Sequence, residues 1–216
     1  HMLNHEVGPQ LVGRDPADIA VIWEMLYNGV RHEQAAASGH AMPQIARRGM
    51  SVAAISAVDI ALWDILGKSL GQPVWRLLGG RKMERMPAYA SGGWAPADKI
   101  GEQLKSYIAA GGFRSVKMRV GSMDGAPHIS AARVRAARQA LGPDVELMVD
   151  AHGTYTVADA KRFVHLVADQ DLTWFEEPVI ADDKAGMAEV RASGPVPIAT
   201  GESEATRYAF RDLADF

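Results

Sequence analysis

From about residue 85 to the end, short β-rich runs alternate with amphipathic helical ones, and this rhythm restricts the fold more than any other feature. The runs MPAYAS, FRSVKMRV, VELMVDA, LTWFEEP and VPIATGE are separated by ADKIGEQLKSYIAAG, ISAARVRAARQALG, VADAKRFVHLVADQ and DKAGMAEVRASG. SEATRYAFRDLADF closes the series. Strands that alternate with helices in this way predict five strand–helix units around a parallel sheet with right-handed crossovers. An open doubly wound sheet and a barrel both fit. No glycine-rich phosphate fingerprint follows the first strand, which weighs against the nucleotide-binding version.

The residues before this point read as helical. In GRDPADIAVIWEMLYNGVR, Asp15 is placed to cap a helix and Pro16 to occupy its first position. Ile19, Ile22, Trp23, Leu26 and Val30 then recur at helical spacing. A loop with Gly39, Pro43 and Gly49 leads to SVAAISAVDIALWDILGKSLG, a second helix apolar around most of its surface and expected to be buried. Within it Asp64 and Lys68 stand four apart and can pair. QPVWRLLGG forms a short helix with a double-glycine stop.

Three runs of the alternating region carry acids at their ends: Asp150, Glu176 and Glu202. The intervals 176 − 150 and 202 − 176 are both 26. Equivalent ends of parallel strands lie on one rim, so these carboxylates would repel one another unless a positive charge sits among them. A hard divalent cation such as Mg2+ takes oxygen ligands of this kind. The C-terminal rim is also where barrel enzymes place their chemistry. Any one of these acids alone would be a cap or a surface residue; their common phase reverses that reading. In SVKMRVG, Lys117 and Arg119 are two apart on a strand and face the same side, toward those acids or an anionic substrate. By the same alternation Asp150 and His152 are expected to share a face.

Composition excludes several classes. The formal net charge of −3 and the lack of a basic run make nucleic acid an unexpected partner. With Cys 0, disulfides and thiolate metal sites are excluded. No apolar stretch is expected to span a bilayer, so no membrane partner is expected, and a cytoplasmic location is.

Taken together these residues resemble the enolase superfamily, in its mandelate racemase and muconate lactonizing enzyme family. AISAVDIALWDILGKSLGQPVWRLLGG is similar to the helical segment that leads into that family's barrel. SVKMRVG resembles its lysine-x-lysine strand, MVDAHG its first metal-ligand strand, WFEEP its second and TGES its third. The resemblance implies an α/β fold: a partial TIM-like (β/α) barrel over residues 85–216, preceded over residues 1–84 by helices of an α+β capping domain. It implies Mg2+ held by Asp150, Glu176 and Glu202, and the branch typified by mandelate racemase. The implied reaction removes the proton next to a carboxylate, with the metal and nearby cations stabilising the enolate. A small-molecule carboxylate, most readily a sugar acid undergoing dehydration, is the implied substrate. Racemisation of a 2-hydroxy acid is an alternative.

Two departures matter. Arg119 stands where the family usually carries its catalytic lysine, and a guanidinium is a poor base. It is expected to bind carboxylate or stabilise charge, whereas Lys117 would be a base only if its pKa were lowered, a direction in which the neighbouring cation pushes. His152 stands where many members carry asparagine, and resembles the acid that helps a hydroxyl leave in some sugar-acid dehydratases. His5, His32, His40, His128 and His165 read as structural or solvated. The chain also resembles a middle piece of the family's polypeptide, without the opening strands of the capping domain and without the later barrel strands that carry a His–Asp base pair. Five strands leave two sheet edges. The expectation is therefore a catalytically silent piece that self-associates as a homo-oligomer, or pairs with a chain supplying the missing strands. An unrelated metal-dependent barrel lyase or aldolase leaves the preceding helical segment unexplained.

Overall fold

The computed structural model describes residues 1–28 and 49–216. Val30, Gly39, Pro43, His32 and His40, named above, lie outside the described residues. The chain divides into two compact units, His1–Arg85 and Met86–Phe216.

In the first unit, helix α1 spans Ile19–Asn28 and helix α2 spans Met50–Leu70, followed by the short α3, Val74–Leu77. Ile19, Ile22 and Leu26 of α1 are buried with Val52, Ile55 and Leu62 of α2 in one core. Trp23 stays partly exposed and stacks on Tyr27 at 4.8 Å. Asp15 does not cap α1. Its side chain accepts from the Ala17 N–H at 2.9 Å in a turn of its own, and the Asp18 carbonyl takes the first helical hydrogen bond, from Ile22. Pro16 therefore lies ahead of the helix rather than at its first position, because the Asp15 turn diverts the backbone before the helix can start. The Asp64–Lys68 pair forms at 2.6 Å.

Helix α2 departs from expectation twice. It buries one face only, and Ile60, Ile65 and Leu70 are exposed. Its 21 residues are also long and apolar enough to cross a membrane by length and composition alone, contrary to the sequence expectation. Those two properties alone do not separate a membrane span from a core helix, and here Val52, Ile55 and Leu62 pack in the core shared with α1.

In the second unit the strands are β1 Ala90–Gly92, β2 Ser115–Arg119, β3 Glu146–Asp150, β4 Leu172–Glu176 and β5 Ile198–Ala199. They form one sheet in the order β1-β2-β3-β4-β5, and every pair is parallel. Helices α4 Ile100–Gly111, α5 Pro127–Leu141, α6 Val157–Leu166, α7 Lys184–Ala192 and α8 Thr206–Ala214 follow the successive strands. This is the α/β arrangement of a partial barrel preceded by a helical region. The outer strands are shorter than their sequence runs, with β5 reduced to two residues.

Local chemistry sets the helix starts. Thr156 accepts from the Asp159 N–H at 3.1 Å to cap α6, and Asp183 accepts from the Gly186 N–H at 2.9 Å to cap α7. Pro127 opens α5, where its missing N–H costs nothing. The core between sheet and helices takes alternate strand residues: Val116 and Met118, Leu147 and Val149, and Phe175. Phe163 of α6 meets Phe175 with ring centres 4.9 Å apart, and both are fully buried. Burying a side chain of this size contributes about 1.5–3 kcal/mol. Since side chains alternate, the same packing turns Lys117, Arg119, Asp150, Trp174 and Glu176 to the other face.

Candidate active site

Register places the charged side chains of that face side by side. Arg119 pairs with Asp150, Asp150 with Glu176, and Glu176 with Ala199, across the last residues of the strands. Lys117, one pleat below, puts its Nζ 2.7 Å from both Glu176 carboxylate oxygens and 3.5 Å from Asp150 Oδ2. All three side chains are largely buried. Trp174 Nε1 donates to Glu176 Oε2 at 3.0 Å, and Tyr89 lies with its ring 5.4 Å from the Lys117 ammonium.

Burial by itself pulls the Lys117 ammonium down, but the hydrogen bond and charge of Glu176 and the charge of Asp150 outweigh it. The net result is a lysine held above its usual pKa. The lowered pKa expected for Lys117 beside Arg119 is therefore not found: the two acids hold it in the opposite direction. Arg119 Nη1 lies 2.9 Å from Asp150 Oδ1. It approaches off its N–H direction and has no hydrogen-bond partner, so the contact is charge pairing and leaves a donor free. The Arg119 guanidinium stacks on Trp94 at 5.2 Å. A cavity of about 180 Å3 opens here, lined by Ser91, Gly92, Trp94, Lys117, Met118, Arg119 and Asp150.

His152 and Glu202 lie apart from this group. Strand β3 ends at Asp150, and His152 sits in a turn with φ +48, so strand alternation does not extend to it. Asp150 Oδ1 accepts from the His152 N–H at 2.8 Å, which stabilises the turn. The His152 ring is 61% exposed, and its Nδ1 is 3.1 Å from Glu202 Oε1 and 3.9 Å from Glu177 Oε2. Glu202 follows β5 by three residues rather than ending it, because that strand stops at Ala199. Among the described residues, His152, Glu177 and Glu202 bring ligand atoms within 4.8 Å of one another. The structure therefore gathers Asp150 and Glu176 around Lys117, and sets Glu202 beside His152.

Sequence reasoning passed over Glu177, Trp94, Tyr89 and Trp174. The doubled acid of WFEEP was a signal for Glu177, and the Trp that follows the first strand was one for Trp94. Glu177 is buried, and its Oε1 has no hydrogen-bond partner. Burial pushes its pKa up, the Glu202 charge adds to this, and the His152 side chain opposes it. A raised pKa means that its contribution to stability is present below the ordinary glutamate value of 4.5 and is lost as pH rises through the folded value. Ionised Glu177 therefore opposes folding at neutral pH. Glu177→Gln is expected to stabilise the chain by about 1 kcal/mol there, with the advantage shrinking as the pH is lowered. Urea unfolding of parent and variant at several pH values measures this, and a constant difference would remove Glu177 titration as its cause.

A family model described as "Enolase C-terminal domain-like" matches residues 99–215. A second, "Mandelate racemase / muconate lactonizing enzyme, N-terminal domain", matches residues 1–79. The D-galactarolactone cycloisomerase of Agrobacterium fabrum is 36% identical over 202 residues, which cover 92% of this chain and 50% of that protein. The D-galactonate dehydratase of Ralstonia nicotianae is 36% identical, over 98% of this chain and 53% of its own. The crystal structure of a racemase from Streptomyces coelicolor with bound magnesium superimposes with a TM-score of 0.84 at 35% identity, over 99% of this chain and 56% of its own. The chain spans about half the length of the curated relatives it matches.

Proposed function

Because the chain belongs to the mandelate racemase/muconate lactonizing enzyme family of the enolase superfamily, we propose that it carries a Mg2+-dependent site for removing the proton α to a carboxylate, with a sugar acid dehydrated as the outcome. The carrying observation is the in-register line of Arg119, Asp150 and Glu176 with Lys117 between the two acids. Carboxylate oxygens suit a hard divalent ion, which would have to displace the Lys117 ammonium from the Glu176 oxygens it now holds. Asp150, Glu176 and Glu202 would hold it, with Glu202 turning from His152. When bound, Mg2+ supplies Lewis-acid stabilisation of the substrate carboxylate and of the enolate.

The side chains divide the remaining tasks. Arg119 carries a guanidinium that is partly exposed beside the cavity and can attract an anionic oxygen there. Lys117, held protonated by the two acids, stabilises negative charge rather than acting as the base, so the α-proton would pass to a base carried by the half of the relatives' length that this chain does not span. His152 is exposed at the rim beside Glu202 and is the acid that would protonate a departing β-hydroxyl. Trp94 provides an apolar wall against which the carbon chain of a sugar acid can lie. A racemase reading shares the first step and differs only in reprotonating the enolate.

The test is exchange of the α-proton of D-galactonate in heavy water with Mg2+, followed by NMR. It is run on the chain alone and on the chain joined to the remaining half of the Ralstonia dehydratase. Exchange in the joined protein, lost with Glu176→Gln, is the expected result. Absence of exchange and of Mg2+-dependent sugar-acid binding in both proteins would overturn the proposal. A keto-acid product identifies dehydration, and inverted substrate without loss of water identifies racemisation.

A further inference from the structure

Arg133 on α5 is buried, at 6% exposure, and its guanidinium is spent on backbone. Nε donates to the Ala95 carbonyl at 3.0 Å, and Nη2 to the Gly93 carbonyl at 2.9 Å. Nη1 donates to the Arg119 carbonyl at 2.8 Å and to both carboxylate oxygens of Asp124 at 2.9 Å. Behind this clasp, Ser130 Oγ donates to Asp124 at 2.5 Å and accepts from the Tyr155 hydroxyl at 2.6 Å. The residues whose carbonyls are held flank Trp94 on both sides and include Arg119 itself. Trp94 and Arg119 are the two side chains that stack to wall the cavity.

We propose that Arg133 is a positioning residue for this cavity: one guanidinium fixes the β1 and β2 ends so that the Arg119 guanidinium stays over the Trp94 ring. Local packing shows how close the two backbones must come. Gly93 has φ +78, and a Cβ there would lie 2.7 Å from the Met118 Cβ. The Gly93 carbonyl also accepts the Arg119 N–H, at 3.3 Å, so one oxygen receives both the strand and the clasp. A planar fork can reach carbonyls in three directions at once, which an ammonium on a flexible stem cannot. Asp124 neutralises the buried charge and fixes the fork's orientation. Arg133 thus acts on the substrate through Arg119 and Trp94, not by contact. The inference rests on reading this cavity as the substrate site, but its test reads geometry and needs no turnover.

The experiment is NMR of the full chain, following the Arg119 side-chain N–H and the Trp94 indole N–H, assigned with Trp94→Phe. In the parent, Arg119 signals should carry the ring-current shift of a stacked indole. Arg133→Lys should lose that shift and move the Trp94 signal, leaving the Trp174 indole signal in place. Asp124→Asn, which keeps an acceptor but removes its charge, is the milder variant and should move the same two signals by less. A merely structural role would lower stability without selecting these signals. Folded Arg133→Lys or Asp124→Asn protein whose Arg119 and Trp94 signals coincide with the parent's would overturn the inference. Sucrose, which favours the compact state, keeps a weakened variant folded for the measurement.

Discussion

Replacing Lys117 with Met is expected to destabilise the metal-free chain by about 3–5 kcal/mol, the usual cost of removing one partner from a buried ionic group. Lys117 is the only cation in contact with both Asp150 and Glu176 among the described residues, and the two acids adjoin each other in register. Methionine fills much of the lysine's volume, so the loss would come from charge rather than from a cavity. The carboxylates would then repel at short range in a poorly solvated place. Because the folded pKa of Lys117 is raised, its stabilising effect is complete below the ordinary lysine value and is lost only as pH rises through the folded value. The effect is therefore at full strength at neutral pH. Mg2+ should repair the variant more than the parent, since it would meet two acids with no competing ammonium. Saturation at 100 times Kd would return about 2.7 kcal/mol. Urea unfolding with and without Mg2+ reads both effects. A loss below about 1 kcal/mol, as for an exposed pair, would show that the acids do not depend on Lys117.

Much of this arrangement was legible because a strand's period is two. That period alone put Lys117 and Arg119 on one face and gave Asp150 and Glu176 to the same rim. The helical stripe of Ile19, Ile22 and Leu26 was readable for the same kind of reason. What the sequence concealed depends on register, on turns, or on packing between distant segments. Nothing local shows that Lys117 reaches Glu176, a residue two strands away, so the upward direction of its pKa could not be read. His152 left the predicted face because its φ of +48 ends the alternation that the prediction used. Glu202 left the strand end because β5 is only two residues long. Asp15 looks like a helix cap by type, yet its short side chain satisfies a nearer N–H first. Arg133 looked like one of several arginines on an amphipathic helix, and its burial follows only from the carbonyls that meet it.

Two separate groups of ligand atoms give the largest expected effect on binding. Asp150 and Glu176 offer carboxylate oxygens around Lys117, whereas His152, Glu177 and Glu202 offer a mixed set at the neighbouring rim. Hard Mg2+ favours oxygen and keeps several waters, so an imidazole adds little to its hold. Asp150→Asn and Glu176→Gln are each expected to weaken Mg2+ binding by more than about 100-fold, beyond the 10–100-fold that loss of an outer partner typically costs. His152→Ala should leave Mg2+ affinity nearly unchanged or raise it slightly, by freeing Glu202 from its 3.1 Å contact. Glu202→Gln should fall with the first pair if that side chain turns toward them. Calorimetric titration of the chain and the four variants with Mg2+ separates the possibilities, with circular dichroism confirming that each is folded. Zn2+ serves as the contrasting probe, since imidazole is among its usual ligands. Loss of Mg2+ binding in His152→Ala together with retention in Asp150→Asn would move the ion to the His152 group. That outcome would also remove Asp150 and Glu176 from the proposed chemistry, leaving Lys117 as the permanent counter-charge of a structural ion cluster.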